Sequence, residues 1–218
     1  MFGVTAADGA PIPLASIRLA APARPRQFIG IWNNFHALAE KYGNLISAFP
    51  LYFLKSPNSI VGPDSDICLP TGLPGKVIYE GELGIVIGHK NSIFGYTVVN
   101  DITALDVLNS DPSFPQWARA KSFTTFGPLG PCIETELSSN AEVKVSLNGR
   151  VRQHYPLADM IISPQHLVEL IGSEVTLSAG DVIACGTSVG VLPIRAGMTV
   201  EVSITGIGTL RNFVRDCP

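Results

Sequence analysis

Two glutamates one residue apart, Glu80 and Glu82, stand inside an otherwise apolar run, V-I-Y-E-G-E-L-G-I-V-I. On a β-strand, residues two apart point to the same face, so both carboxylates share one side. Unpaired carboxylates side by side repel, and burial makes that worse. Either the face is solvated, or something positive sits between them. A hard divalent ion suits the second case, because Mg²⁺ takes oxygen ligands from one or a few carboxylates and keeps several waters. Asp101 adds a third carboxylate. It ends the run G-Y-T-V-V-N-D, which starts at Gly95, a short loop after Gly88. Antiparallel pairing of 82–88 with 95–101 returns Asp101 close to Glu82, although Asn100-Asp101 is also good turn chemistry.

Lys121, in R-A-K-S-F, could bind an anion or stabilise an enolate beside a metal; as a lone residue it reads as a solvated surface charge. His36 and Glu40 lie four apart in a short helical segment and share a face. Such a pair can activate water, the carboxylate orienting the ring; it can equally be a plain surface pair. Gly186-Thr187-Ser188-Val189-Gly190 matches a serine-hydrolase nucleophile elbow by letters. That motif needs a following helix and a later histidine. Pro193 interrupts the segment, and no histidine follows His166. Phosphate loops and dinucleotide fingerprints are absent, since Gly206-Ile207-Gly208 lacks a third glycine.

These residues need a β-rich frame. The 21 Gly and 17 Pro are spread along the whole chain, which favours short strands and frequent turns. Residues 1–27 read as an irregular arm or edge strands, and 28–218 as one catalytic domain. Phe28 to Trp32 is a short strand. Asn33 or Asn34 is placed to cap a helix running to about Lys41 and ending at Gly43. Residues 76–88 form one long strand or two. Residues 143–155 form a hairpin, with Asn148-Gly149 supplying a type I′ turn. Ser163-Pro164 opens a helix that Gly172 closes. Residues 181–186 form a buried strand, and 199–210 a strand, turn and strand. Strands do not alternate regularly with helices, which counts against a parallel βαβ fold.

Composition narrows the classes. The net charge is −3, and the 15 Lys and Arg are scattered, so the basic patch of a nucleic-acid protein is absent. No apolar run reaches the ~18 residues of a membrane helix, and the alanine-rich start, broken by Arg18, Arg24 and Arg26, is unlike a signal peptide. Cys68, Cys132, Cys185 and Cys217 lie far apart, which predicts reduced thiols in a cytoplasm, with Cys132 and Cys185 in the core. Charged residues are only 15% and mean hydropathy is +0.29, so part of the surface is expected against a second copy, as a homodimer.

The ordered stretches Y-F-L-K-S-P-N-S-I-V-G-P, Y-E-G-E-L-G-I-V-I-G, G-Y-T-V-V-N-D-I-T-A-L-D, Q-W-A-R-A-K-S-F-T-T-F-G-P-L-G-P, L-N-G-R-V-R-Q, D-M-I, T-L-S-A-G-D-V-I-A-C-G-T and G-I-G-T-L-R-N resemble the fumarylacetoacetate hydrolase family over about residues 28–213. That family includes acylpyruvate hydrolases, oxaloacetate decarboxylases and hydroxyheptadienedioate isomerases. The resemblance implies a mainly β fold with short helices (α+β), a mixed β-roll. It implies Mg²⁺ or Mn²⁺ on Glu80, Glu82 and Asp101, with Lys121 as the active-site lysine. Gly186, Thr187 and Gln116 are implied as substrate-binding residues, and His36 and Glu40 as a catalytic pair on a lid helix. Here the lid reads H-A-L-A-E where the family often has H-x-x-E, Asn34-Phe35 replaces Asn-Tyr, and Ser188 stands where Pro is common. The implied activity is metal-dependent turnover of a small 2-oxo acid in aromatic-compound catabolism. C–C hydrolysis of an acylpyruvate is the first expectation; isomerisation and decarboxylation are alternatives, and a non-catalytic ligand-binding module is a rival of another class.

Overall fold

The computed structural model describes residues 4–5, 10–13 and 16–218. In chain order, β1 (Val4–Thr5) and β2 (Pro11–Ile12) pair antiparallel, a fragment of the expected edge strands. The rest of that arm before residue 16 lies largely outside the described residues. β3 (Phe28–Trp32), α1 (His36–Tyr42), β4 (Leu51–Lys55), β5 (Ile60–Val61) and β6 (Asp66–Pro70) follow. Then come β7 (Val77–Ile78), β8 (Gly81–Ile87), β9 (Ile93–Asn100), β10 (Thr103–Ala104), α2 (Leu105–Leu108) and α3 (Trp117–Lys121). The second half holds β11 (Gly127–Glu134), β12 (Glu142–Leu147), β13 (Arg150–Pro156) and α4 (Pro164–Glu174). It ends with β14 (Val182–Ala184), β15 (Pro193–Ile194), β16 (Thr199–Ile204) and β17 (Gly208–Cys217).

The fold is mostly β, as expected. Seven strands form a mixed sheet in the order β4-β3-β14-β8-β9-β11-β5, and five form β13-β12-β16-β17-β6. A third, small sheet has the order β10-β7-β15. The alternation of β12 and β16 turns Val143, Val145, Val200 and Val202 inward, where they share a core with Leu83, Ile85 and Val98. The two sheets pack tightly at Gly81. A Cβ there would stand 2.4 Å from Val145 Cγ2, so any side chain would push them apart.

The register carries the site. β8 pairs antiparallel with β9, Gly81 opposite Asn100 and Glu82 opposite Val99. Asp101 therefore follows directly beside Glu80, whose carbonyl accepts from the Asp101 N–H at 2.8 Å. The 76–88 run is two strands, and Glu80 lies in the link between β7 and β8. The Asn148-Gly149 turn is of the expected kind, with φ of 49° and 74°.

Several local expectations are corrected. Neither Asn33 nor Asn34 caps α1. The helix starts after Phe35, and the Asp159 carboxylate accepts from the Ala37 N–H. Asn34 instead donates to the carbonyls of Ile162 and Cys185, because these buried groups need partners. Gly43 does end α1, at φ 65°. Ser163 caps α4, but the helix runs through Gly172 to Glu174. An aspartate from a distant segment and tertiary demand outweigh the local signals in these places. The expectation of four reduced thiols fails at one pair: Cys68 on β6 and Cys217 on β17 form a disulfide between parallel neighbours, Cα–Cα 5.3 Å. Cys185 is free and buried, whereas Cys132 is free and only half-buried.

Candidate active site

Glu80, Glu82 and Asp101 converge at the end of β8 and β9, each offering a carboxylate oxygen within 4.8 Å of the others. Glu82 and Asp101 are each 1% exposed. Two lysines balance them. Lys121, at the end of α3, donates to Asp101 at 2.5 Å and to Glu80. Lys55, at the end of β4, donates to the other Asp101 oxygen at 2.5 Å and to the Ile102 carbonyl at 3.3 Å. Lys121 is thus no solvated surface charge; it is 3% exposed and its ammonium lies between Glu80 and Asp101.

Burial and charge set the protonation states. Burial, then Asp101 and Glu80, push the Glu82 carboxyl well above the usual range. Glu80 is also raised, by burial and Asp101 against the pull of Lys121. For Asp101 burial acts upward, but Lys121 and Lys55 outweigh it and lower the group. Burial alone would lower Lys121, yet Asp101, Glu80 and Glu82 together push it above its ordinary value. Lys55 is lowered, burial exceeding the help of Asp101.

Three carboxylates face two ammoniums, so the cluster carries one excess negative charge when all are ionised. An all-oxygen, buried, under-neutralised set fits a hard divalent cation. Glu80, Glu82 and Asp101 are the residues that would hold it. The neighbouring loop is built onto the same cluster. The Gly186 N–H donates to Glu82 at 2.8 Å, and Thr187 Oγ1 donates to the Gly81 carbonyl at 3.0 Å. Gly186 has φ 90° and lies against the Ile31 carbonyl, which leaves no room for a Cβ. Thr103 Oγ1 adds a hydrogen bond to Glu80 at 3.2 Å.

A cavity of about 640 Å³ opens over this floor, with Glu80, Glu82, Lys121 and Thr187 in its lining. Its wall is aromatic. Phe53 and Trp117 stack at 5.1 Å, Trp32 meets Trp117 edge-on at 6.3 Å, and the Lys121 ammonium lies 4.7 Å from the Phe53 ring centre.

The remaining expected site residues lie elsewhere. α1 presents Leu38 and Tyr42 to the cavity, whereas His36 and Glu40 are exposed and outside its lining. Their i+4 spacing gives a shared face, but it is the other face of the helix. Gln116 stands before α3 with its side chain on the Phe114 carbonyl at 3.4 Å, and it too is outside the lining. Lys55 was not singled out from the sequence. The signal was present, because strict alternation in L-Y-F-L-K puts Lys55 on the same buried face as Phe53.

A mainly β scaffold thus gathers three carboxylates and two buried lysines under a cavity with an aromatic wall. Residues 27–215 match the model of the fumarylacetoacetate (FAA) hydrolase C-terminal family, and the chain belongs to that family. A crystal structure of 5-carboxymethyl-2-hydroxymuconate delta-isomerase from Mycobacterium smegmatis is similar, with a TM-score of 0.87 and 40% identity, covering 96% of this chain and 86% of that one. The Bacillus subtilis oxaloacetate tautomerase YisK is 34% identical over 92% of this chain and 74% of its own length. The mitochondrial oxaloacetate decarboxylase of Dictyostelium discoideum is 31% identical over 86% of this chain and 93% of its own length.

Proposed function

We propose that the protein is a divalent-metal-dependent enzyme that enolises a small 2-oxo acid, acting as a tautomerase or isomerase. The observation that carries the reading is the buried Lys121 ammonium among Glu80, Glu82 and Asp101 on the floor of the cavity. Mg²⁺ or Mn²⁺ bound to these carboxylates would polarise the 2-oxo group and so acidify the adjacent carbon. Lys121 would donate a charge-assisted hydrogen bond to the enolate oxygen, and the proton lost from the adjacent carbon would pass to solvent water in the open cavity. Lys55 holds Asp101 in place from the far side. Thr187 lines the cavity beside the cluster and borders the position for the substrate carboxylate. The stacked Phe53 and Trp117 rings give the cavity an apolar wall beside the reacting carbon.

C–C hydrolysis needs an activated water, and the expected pair for it, His36 and Glu40, is exposed and outside the cavity lining. Tautomerisation and decarboxylation need no such water, which favours them here. Relatives named as a tautomerase, a decarboxylase and an isomerase support the same direction. The reading includes a homodimer, supported by exposed Leu51, Tyr52 and Leu54 on the edge strand β4. A light-scattering mass near one 23.2 kDa chain would contradict it. No helix among the described residues is long and apolar enough to cross a membrane. The test is a screen of 2-oxo acids by enol absorbance, with Mg²⁺ or Mn²⁺ and with a chelator. Metal-dependent loss of enol without chain cleavage is expected. Cleavage into two acids with uptake of water and no release of CO₂ would restore the hydrolase reading.

A further inference from the structure

The loop after β14 is tied to the cavity floor by hydroxyl groups. β14 pairs antiparallel with β8, Ala184 opposite Gly84, and stops at Ala184. Beyond that end, side chains reach β8 instead. The Gly81 carbonyl accepts the Tyr155 hydroxyl at 2.5 Å and the Thr187 hydroxyl at 3.0 Å, which occupies both of its lone pairs. Gln153 fixes which way the Thr187 hydroxyl points. Its Nε2 lies 2.9 Å from both Thr187 Oγ1 and the Ser188 carbonyl. A carbonyl can only accept, so this end of the amide is the donor, and Thr187 Oγ1 accepts from it. The single Thr187 hydroxyl hydrogen is then committed to Gly81. Thr187 lines the cavity, whereas Tyr155 and Gln153 are buried outside its lining.

A carboxylate in the cavity only accepts, and in this arrangement Thr187 has no hydrogen to give it. Rotation about the Cβ–Oγ bond supplies one without moving the oxygen, but it takes a hydrogen bond away from the Gly81 carbonyl. Leaving a buried carbonyl without any donor is costly. Tyr155 removes that cost, because its hydroxyl stays on Gly81 while Thr187 turns. We propose that Tyr155 is a positioning residue: by holding the Gly81 carbonyl, it releases the Thr187 hydroxyl to bind the carboxylate of a 2-oxo acid. This rests on the placing of that carboxylate at Thr187 in the proposed function.

Calorimetry with Mg²⁺ and pyruvate would compare wild-type protein, Tyr155→Phe, Thr187→Val and the double variant. Thr187→Val should bind pyruvate about tenfold more weakly or worse, the scale of one hydrogen bond to a charged group. Tyr155→Phe should lose about five- to tenfold, because turning Thr187 then strands the Gly81 carbonyl. In the Thr187→Val background the same change should cost less than about twofold, since no hydroxyl is left to release. An equal loss in both backgrounds would mean that Tyr155 merely packs the loop, and it would overturn the proposal. So would wild-type affinity in Tyr155→Phe. Unchanged binding by Thr187→Val would instead remove the carboxylate from Thr187, and no binding by wild type would remove the 2-oxo acid reading; either takes this proposal with it.

A second measurement needs no change at Tyr155. Gly81-Glu82 is the one Gly-Glu step in the chain, so carbonyl-¹³C glycine with ¹⁵N-glutamate isolates the Gly81 carbonyl as a single NMR signal. Saturating the Mg²⁺-loaded protein with pyruvate should move that carbon upfield in wild type, as one of its two hydrogen bonds is lost, and leave it in place in Thr187→Val. A signal that stays in place in wild type would overturn the proposal.

Discussion

Replacing Asp101 by Asn removes a charge without changing volume, so no cavity confuses the result. Asp101 is the only ion-pair partner of Lys55 among the described residues, at 2.5 Å, and the Lys55 side chain is fully buried. Lys121 keeps Glu80. Lys55 would keep only the Ile102 carbonyl at 3.3 Å and the new amide. Removing one partner of a buried pair typically costs about 3–5 kcal/mol. A second bound agrees. If Lys55 sheds its proton instead, moving a lysine from pKa about 10.4 to neutral form at pH 7 costs about 4–5 kcal/mol. For a chain of this size about 1 kcal/mol moves Tm by roughly 2–4 °C, so a fall of about 6–20 °C is expected.

Thermal and urea denaturation, both with chelator present, measure the loss. The pH dependence gives a second reading. Lys55 is already lowered by burial, and without Asp101 it falls further. Between its folded pKa and about 10.4 the unfolded chain then binds more protons than the folded one, so stability rises with pH. The variant's deficit should therefore shrink from pH 7 to 9. A loss under about 1 kcal/mol, or a deficit independent of pH, would refute the view that Asp101 neutralises a buried Lys55.

Glu82→Gln should weaken Mn²⁺ binding by about a hundredfold or more while leaving the metal-free Tm nearly unchanged, because burial and the neighbouring carboxylates Asp101 and Glu80 already disfavour a charge on Glu82; a large loss of metal-free stability would contradict this. Since burial raises both Glu80 and Glu82, the metal-free site holds protons that a cation displaces, so apparent metal affinity should climb from pH 6 to 8 and binding should release protons. Calorimetry in buffers of different ionisation enthalpy reads that release, and a pH-independent affinity counts against it. His36→Ala should change enolisation less than about twofold, against the ~10²–10⁴-fold typical of a lost general base; steady-state rates decide. Reducing the Cys68–Cys217 disulfide, whose ends are 149 residues apart, should cost about 2–4 kcal/mol in urea denaturation, and an unchanged midpoint would argue against its contribution.

The acidic cluster was legible because local rules and tertiary structure agree there. E-x-E sets the face, and the short 88–95 connection sets the return of Asp101. The hairpin at Asn148-Gly149 and the cap at Ser163 were legible for the same reason. Burial was the hidden variable elsewhere. Nothing local to R-A-K-S-F tells that Lys121 ends inside the molecule; the stacking of Trp117 on Phe53, 64 positions away, puts it there. Spacing placed His36 and Glu40 on one face of α1, but the side that faces the cavity is set by Leu38 and Tyr42. The disulfide depends on β6 and β17 lying parallel, a pairing between distant segments that cysteine spacing does not encode.

Deuterium exchange at C3 of a 2-oxo acid, followed by NMR in D₂O with Mg²⁺, tests most directly whether this site enolises its substrate. Wild-type protein should exchange the C3 protons rapidly, without cleaving the carbon chain, and a chelator should stop it. Lys121→Met, shown by calorimetry to retain metal, should lose about 10²-fold or more of the exchange rate, the scale of one lost electrostatic donor to the developing oxyanion. Exchange at the wild-type rate in Lys121→Met, or no exchange in wild-type protein with metal bound, would contradict the assignment of enolisation to the Glu80, Glu82, Asp101 and Lys121 cluster.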